Sequence, residues 1–136
     1  MWGPTARTGP LVLLCEDDED LREMTMQMLQ LRGFDVLTAR DAVDAITTCR
    51  VHEGTIDLLL TDLGLPGVSG GELARSAHTI RPQMEIVYIS GIPKDIAVKK
   101  GLIKPGAPFI PKPFTTDVLA GTLRTVLARH DATTAG

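Results

Sequence analysis

Apolar residues in this chain come in short blocks that stop at acids, and between the blocks they recur with a helical period. Leu11-Val-Leu-Leu-Cys15 contains no polar residue and ends abruptly in Glu16-Asp-Asp-Glu-Asp20. That is the pattern of a central parallel strand buried on both faces. From Asp18 the spacing predicts a helix, because Leu21, Met24, Met28 and Leu31 recur at three- and four-residue steps and Gly33 stands where a C-terminal cap belongs. Asp35 to Ala39 reads as a short strand. Asp41 can cap a second helix, whose apolar face holds Ala42, Ala45, Ile46 and Cys49.

The alternation then repeats. Ile56-Asp-Leu-Leu-Leu-Thr61 is another buried strand ending at an acid, Asp62, and the loop Gly64 to Gly71 leads into a helix from Glu72 to Ile80. Met84 to Ile89 predicts a fourth strand stopping at Ser90-Gly91, followed by a weak helix around Lys94 to Lys100. Pro105, Pro108, Pro111 and Pro113 flank Phe109-Ile110. Proline removes a ladder donor, so the fifth strand should be short and lie at a sheet edge. Thr115 or Thr116 caps the last helix, with Leu119, Leu123 and Val126 facing inward. Five strands alternating with five helices predict an α/β sandwich with a parallel sheet and right-handed crossovers.

Composition narrows the class. At 136 residues the chain is one domain, and 43% hydrophobic with 23% charged residues is the makeup of a globular protein, neither disordered nor membrane-spanning. Fourteen basic against seventeen acidic residues give a net charge of −3, which argues against a nucleic-acid partner. The early apolar run is too short for a signal peptide or membrane span, so the expectation is a cytoplasmic protein without a membrane partner. Cys15 and Cys49 match no metal or redox spacing and read as reduced thiols. The expected domain occupies residues 10–130, with tails at 1–9 and 131–136 and no output domain.

In open parallel sheets, ligands bind beyond the carboxyl ends of the strands where strand order reverses. There the strands deliver Glu16 and Asp17, then Asp62, Ser90 and Lys112. Asp18, Glu19 and Asp20 are accounted for by the macrodipole of the helix they open, but Asp62 is not. Strand-end carboxylates from distant parts of the chain would repel by about 3 to 4 kcal/mol per close pair at an effective dielectric near 20. A hard divalent cation removes that cost, and few, oxygen-only ligands suit Mg2+.

The motifs Val12-Leu-Leu-Cys-Glu-Asp-Asp-Glu-Asp20, Leu60-Thr-Asp-Leu-Gly-Leu-Pro-Gly67 with Gly70, Ser90-Gly91, and Phe109-Ile-Pro-Lys-Pro-Phe114 resemble, in order and in strand-end placement, a response-regulator receiver domain of two-component phosphorelay signalling. The resemblance covers about residues 11 to 129. It implies the flavodoxin-like (βα)5 three-layer sandwich with strand order 2-1-3-4-5, and a chain that is phosphorylated rather than an enzyme with a separate substrate. By that resemblance Asp62 accepts a phosphoryl group from a histidine kinase or histidine phosphotransfer protein. Glu16, Asp17, Asp62 and the Gly64 carbonyl hold Mg2+, with Asp17 as direct ligand and Glu16 acting through water. Lys112 pairs with the phosphoryl oxygens, Ser90 donates its hydroxyl to one of them, and Phe109 sits at the switch position. The Lys112-Pro113 peptide is expected to be cis. The switched face is expected on the side of the fourth helix, fifth strand and fifth helix, meeting an unknown downstream protein; a homodimer is left open.

Three positions depart from the commoner pattern of that family. The first acid is Glu16 rather than Asp, the switch residue is Phe109 without a hydroxyl, and Gly91 follows Ser90 where Ala is common. Gly64 and Ile92, two residues after Asp62 and Ser90, flank the path of the hydrolytic water in such proteins and cannot hydrogen-bond it through their side chains. His52, His78 and His130 read as surface residues. The alternatives are a degenerate receiver that binds partners without phosphorylation and a Mg2+-dependent phosphohydrolase. The first is disfavoured because all five site residues are present, the second because the length leaves no room for a cap domain.

Overall fold

A computed structural model describes residues 9–135. Its elements alternate strictly: β1 (Leu11–Cys15), α1 (Glu19–Leu31), β2 (Asp35–Ala39), α2 (Ala42–Val51), β3 (Leu58–Asp62), α3 (Gly70–Ile80), β4 (Glu85–Ser90), α4 (Lys94–Lys99), β5 (Phe109–Pro111) and α5 (Thr116–Ala135). The strands form one parallel sheet in the order β2-β1-β3-β4-β5, with register pairs Cys15 to Thr61 and Asp62 to Ile89. This is the flavodoxin-like three-layer sandwich the resemblance implies. Order reverses between β1 and β3, so the ends of those strands bound the crevice where α/β sheets bind ligands.

β1 and β3 are buried along their whole length because both faces of the sheet are covered. On one face Leu11, Leu13, Cys15 and Leu59 pack with Ala45, Cys49, Leu73 and Ala77 of α2 and α3. On the other, Val12, Leu14, Leu58 and Leu60 meet Leu29 of α1 and Leu119, Leu123 and Val126 of α5. A smaller third cluster of Leu63, Ala97 and Ile103 lies under α4, joined by the half-buried Tyr88, Ile92, Leu102 and Phe109.

Local chemistry sets the helix starts. Asp18, Asp41, Ser69 and Thr115 each accept a bond from a backbone N–H three residues on, at 3.0, 2.8, 3.2 and 3.1 Å, which satisfies one orphan donor per helix. Of the two threonines before α5, Thr115 is therefore the cap. Gly33 ends α1 at φ +88°, a conformation that favours glycine. Gly70 is required for a different reason: a Cβ there would stand 2.3 Å from the Asp62 carbonyl oxygen, so the start of α3 lies directly against the end of β3.

Three expectations need correction. The stripe Leu21, Met24, Met28, Leu31 is not the inner face of α1, since Met24 is 47% and Leu31 81% exposed. The buried positions are Thr25 and Leu29, with Met26 and Met28 packed beside them. His52 terminates α2, and His130 is not a plain surface residue: its Nδ1 lies 2.6 Å from Glu85 Oε2. The last helix does not stop at 130 but runs to Ala135. The expected tail at 1–9, apart from Gly9, lies outside the described residues.

Arg81 closes α3 by donating to the carbonyls of Cys49, His52 and Gly54 at 2.8, 2.6 and 2.7 Å, tying the end of α2 to the end of α3. Among the described residues, no helix is long and apolar enough to cross a membrane.

Candidate functional site: carboxylates and a lysine at the sheet edge

Glu16 and Asp17 follow β1, Asp62 is the last residue of β3, Ser90 the last of β4, and Lys112 follows β5. The parallel sheet therefore delivers all five to one edge. Glu16, Asp62 and Ser90 are 3%, 7% and 5% exposed, whereas Asp17 faces solvent. One carboxylate oxygen from each of Glu16, Asp17 and Asp62 can be chosen so that all three lie within 4.8 Å of one another.

Two polar anchors orient Asp62. Its Oδ1 accepts a bond from the Gly64 amide at 2.7 Å, and its Oδ2 pairs with Lys112 Nζ. Lys112 also pairs with Glu16 Oε1 at 3.2 Å, while Glu16 Oε2 accepts from the Asp18 amide at 3.2 Å. The Lys112-Pro113 peptide is cis. Ser90 Oγ accepts from the Ile92 amide at 3.1 Å, which leaves its hydroxyl hydrogen free to donate elsewhere. Phe109 stands apart from the acids, half-buried in the third cluster and opposite Tyr88 across the β4–β5 ladder.

The electrostatics follow from burial. Desolvation, with the charge of Asp62 adding to it, raises Glu16 to about 7 against the opposing effects of the Asp18 amide and Lys112. Burial alone would lower Lys112, but its bond to Asp62 and the charges of Asp62 and Glu16 outweigh that and hold it above the usual lysine range. Three close carboxylates and one ammonium leave an excess of negative charge at a site offering only oxygen ligands. That donor set fits a hard dication, because a second and stronger positive charge offsets the carboxylate repulsion that Lys112 only partly relieves.

Some contributors are not evident from the sequence. Arg22 donates to the Glu16 carbonyl at 2.9 Å, holding the turn that aims the two acids. Its signal is only a basic residue in the first turns of an otherwise acidic helix start. The Thr61 hydroxyl, fully buried, donates to the Asp62 carbonyl at 3.0 Å and braces the strand end from behind.

This chain belongs to the response regulator receiver domains, whose family profile matches residues 12–124. It is 29% identical over 120 residues to the sensor kinase CckA of Brucella abortus, covering 88% of this chain and 13% of that one. It is 38% identical over 80 residues to the response regulator receiver protein CpdR of the same organism, covering 59% of this chain and 65% of CpdR. The solved receiver domain of the hybrid histidine kinase CckA superposes with a TM-score of 0.72 at 30% identity, covering 86% of this chain and 98% of that structure. The chain thus spans less than two thirds of each of these curated relatives.

Proposed function

We propose that this chain is the phosphoacceptor of a two-component pathway, with Asp62 taking a phosphoryl group from the phosphohistidine of a histidine kinase or histidine phosphotransfer protein. The observation that carries this is the state of Asp62: one oxygen is anchored by the Gly64 amide and the other is paired with a lysine from a distant strand. An Asp62 oxygen attacks phosphorus, the phosphorus–nitrogen bond to the donor imidazole breaks, and its electron pair leaves on that nitrogen, which picks up a proton. The nucleophile is already an anion, so no general base is needed. Positioning and charge neutralisation supply the acceleration.

Lys112 is the built-in cation for the transferred oxygens, and Ser90 supplies a hydroxyl donor at the neighbouring strand end. Glu16, Asp17, Asp62 and the Gly64 carbonyl would hold Mg2+, which supplies neutralisation of the negative charge on the phosphoryl oxygens. The test is intact-mass spectrometry after incubation with a small phosphodonor and Mg2+. Wild type is expected to gain one phosphoryl group and Asp62→Ala none. Equal labelling of both would overturn the assignment.

A further inference from the structure

Lysine is distributed unevenly in this acidic chain. Apart from Lys112, every lysine (Lys94, Lys99, Lys100 and Lys104) falls in α4 or the loop leading to β5. None of them, nor the exposed Arg75 of α3, has an ion-pair partner among the described residues. The acids on the same two helices are Asp95 and Glu72 alone.

Arg75, Lys94, Lys99 and Lys104 line two adjoining depressions. Between α3 and the α4–β5 loop lies an open cavity of about 810 Å³, with Tyr88, Val98 and Leu102 among its lining and Arg75, Lys104 and Pro105 at its margins. Val98 and Pro105 are shared with an adjoining depression of about 520 Å³ that Lys94 and Lys99 line. Both depressions are predominantly apolar, and the second also carries Asp95 beside Lys94 and Lys99. At Gly71, which lines the larger depression, the loop backbone comes so close that a Cβ would stand 2.7 Å from the Leu102 carbonyl oxygen. Burial holds the Tyr88 hydroxyl above its usual range, so it remains a neutral hydrogen-bond donor.

We propose that the groove between α3 and the α4–β5 loop docks an acidic protein segment carrying an aromatic or aliphatic anchor, the anchor filling the cavity over Tyr88 and the flanking carboxylates meeting Arg75, Lys104, Lys94 and Lys99. Charge complementarity selects the acids, because the rim cations have no partner of their own. Groove volume suits a peptide: about 810 Å³ is several times one side chain, room for an anchor together with its flanking residues, and the apolar lining offers nothing to a phosphodiester backbone. The proposal goes beyond the phosphoacceptor reading and does not depend on it.

The test uses the full, unphosphorylated chain as bait for a random short-peptide library. The most enriched peptide is then measured by fluorescence anisotropy against wild type and Arg75→Glu/Lys104→Glu. The expected selection is enriched in Asp and Glu around one apolar anchor. The double variant, altered only at exposed positions, is expected to bind about tenfold or more weakly. The same peptide with its acids replaced by lysine should regain affinity for the double variant, a readout that a damaged fold would not give. Several results would overturn the proposal: no enriched peptide, enrichment without acids, equal affinity of the double variant, failure of the charge-swapped peptide, or tighter binding of a DNA oligonucleotide or phosphatidylserine vesicles than of the peptide. Because no phosphoryl transfer is read, each leaves the Asp62 assignment standing.

Discussion

Lys112 Nζ, carried just beyond β5, lies 3.2 Å from Glu16 Oε1 at the end of β1 while also pairing with Asp62 at the end of β3. One ammonium thus serves two buried acids. Lys112→Met should leave both without a counter-ion and lower stability in chelator by about 2 kcal/mol, less than for a fully buried pair because the lysine keeps some solvent contact. Mg2+ should restore part of the loss. Urea denaturation with EDTA and with Mg2+ measures both, and an unchanged midpoint in EDTA would contradict the shared-cation geometry.

Mg2+ should stabilise wild type by about 2.7 kcal/mol at 100 times its Kd, since the acid cluster is assembled only in the folded chain. Asp17→Asn should lose that response and hold or gain stability in EDTA, because it removes a like charge from beside Glu16 and Asp62. Thermal melts of the two proteins decide this; a full Mg2+ shift in the variant would remove Asp17 from the ligand set.

Glu16 gives the metal-free protein a pH dependence with a definite sign. Its pKa rises from 4.5 unfolded to about 7 folded, so between those values the native state binds the extra proton. The stabilisation is fully present below pH 4.5 and is lost as pH rises through 7. In EDTA, wild type should lose about 2 kcal/mol relative to Glu16→Gln between pH 5 and pH 8. Parallel stability curves for the two proteins would show that Glu16 titrates normally.

The phosphorylated state should be long-lived. Gly64 and Ile92 present no polar side chain to an attacking water, and an unpositioned nucleophile loses the orientation contribution to rate. A Cβ at Gly64 would meet only Asp62 Oδ1, at an ordinary 3.4 Å, so a side chain fits there. Gly64→Asn with Ile92→Glu is expected to shorten the phospho-Asp62 lifetime about tenfold or more. Decay followed in Mg2+ after donor removal checks it, and an unaltered lifetime would refute the role of these two positions.

Gly70→Ala should be among the most damaging small substitutions, because the new methyl collides with the Asp62 carbonyl rather than with a movable side chain. A loss of about 3 kcal/mol and impaired phosphorylation are expected together. Stability near wild type would show that α3 can shift away from β3.

The elements were legible where one physical signal dominated. β1 and β3 are buried on both faces, so their apolar blocks identify them, and the strand-end rule then places Glu16, Asp17, Asp62, Ser90 and Lys112 on one edge. α1 was harder to read because its inner row contains Thr25, polar by type yet 1% exposed, while Met24 and Leu31 supply the same period on the outer face. Arg22 and Arg81 were not legible as anchors, because each acts on carbonyls brought near only by the finished fold. The same holds for the groove over Tyr88, whose walls come from α3, β4 and the α4–β5 loop.

The three-residue β5, with Pro108 before it and Pro111 closing it, has a consequence for assembly. A strand that short, missing a backbone donor at Pro111, offers an approaching chain almost no ladder to extend. The sheet is thereby closed to growth on the side nearest Lys112. A partner arriving there must be held by side chains against side chains, a contact that a change of charge or packing can make and break without unravelling the sheet.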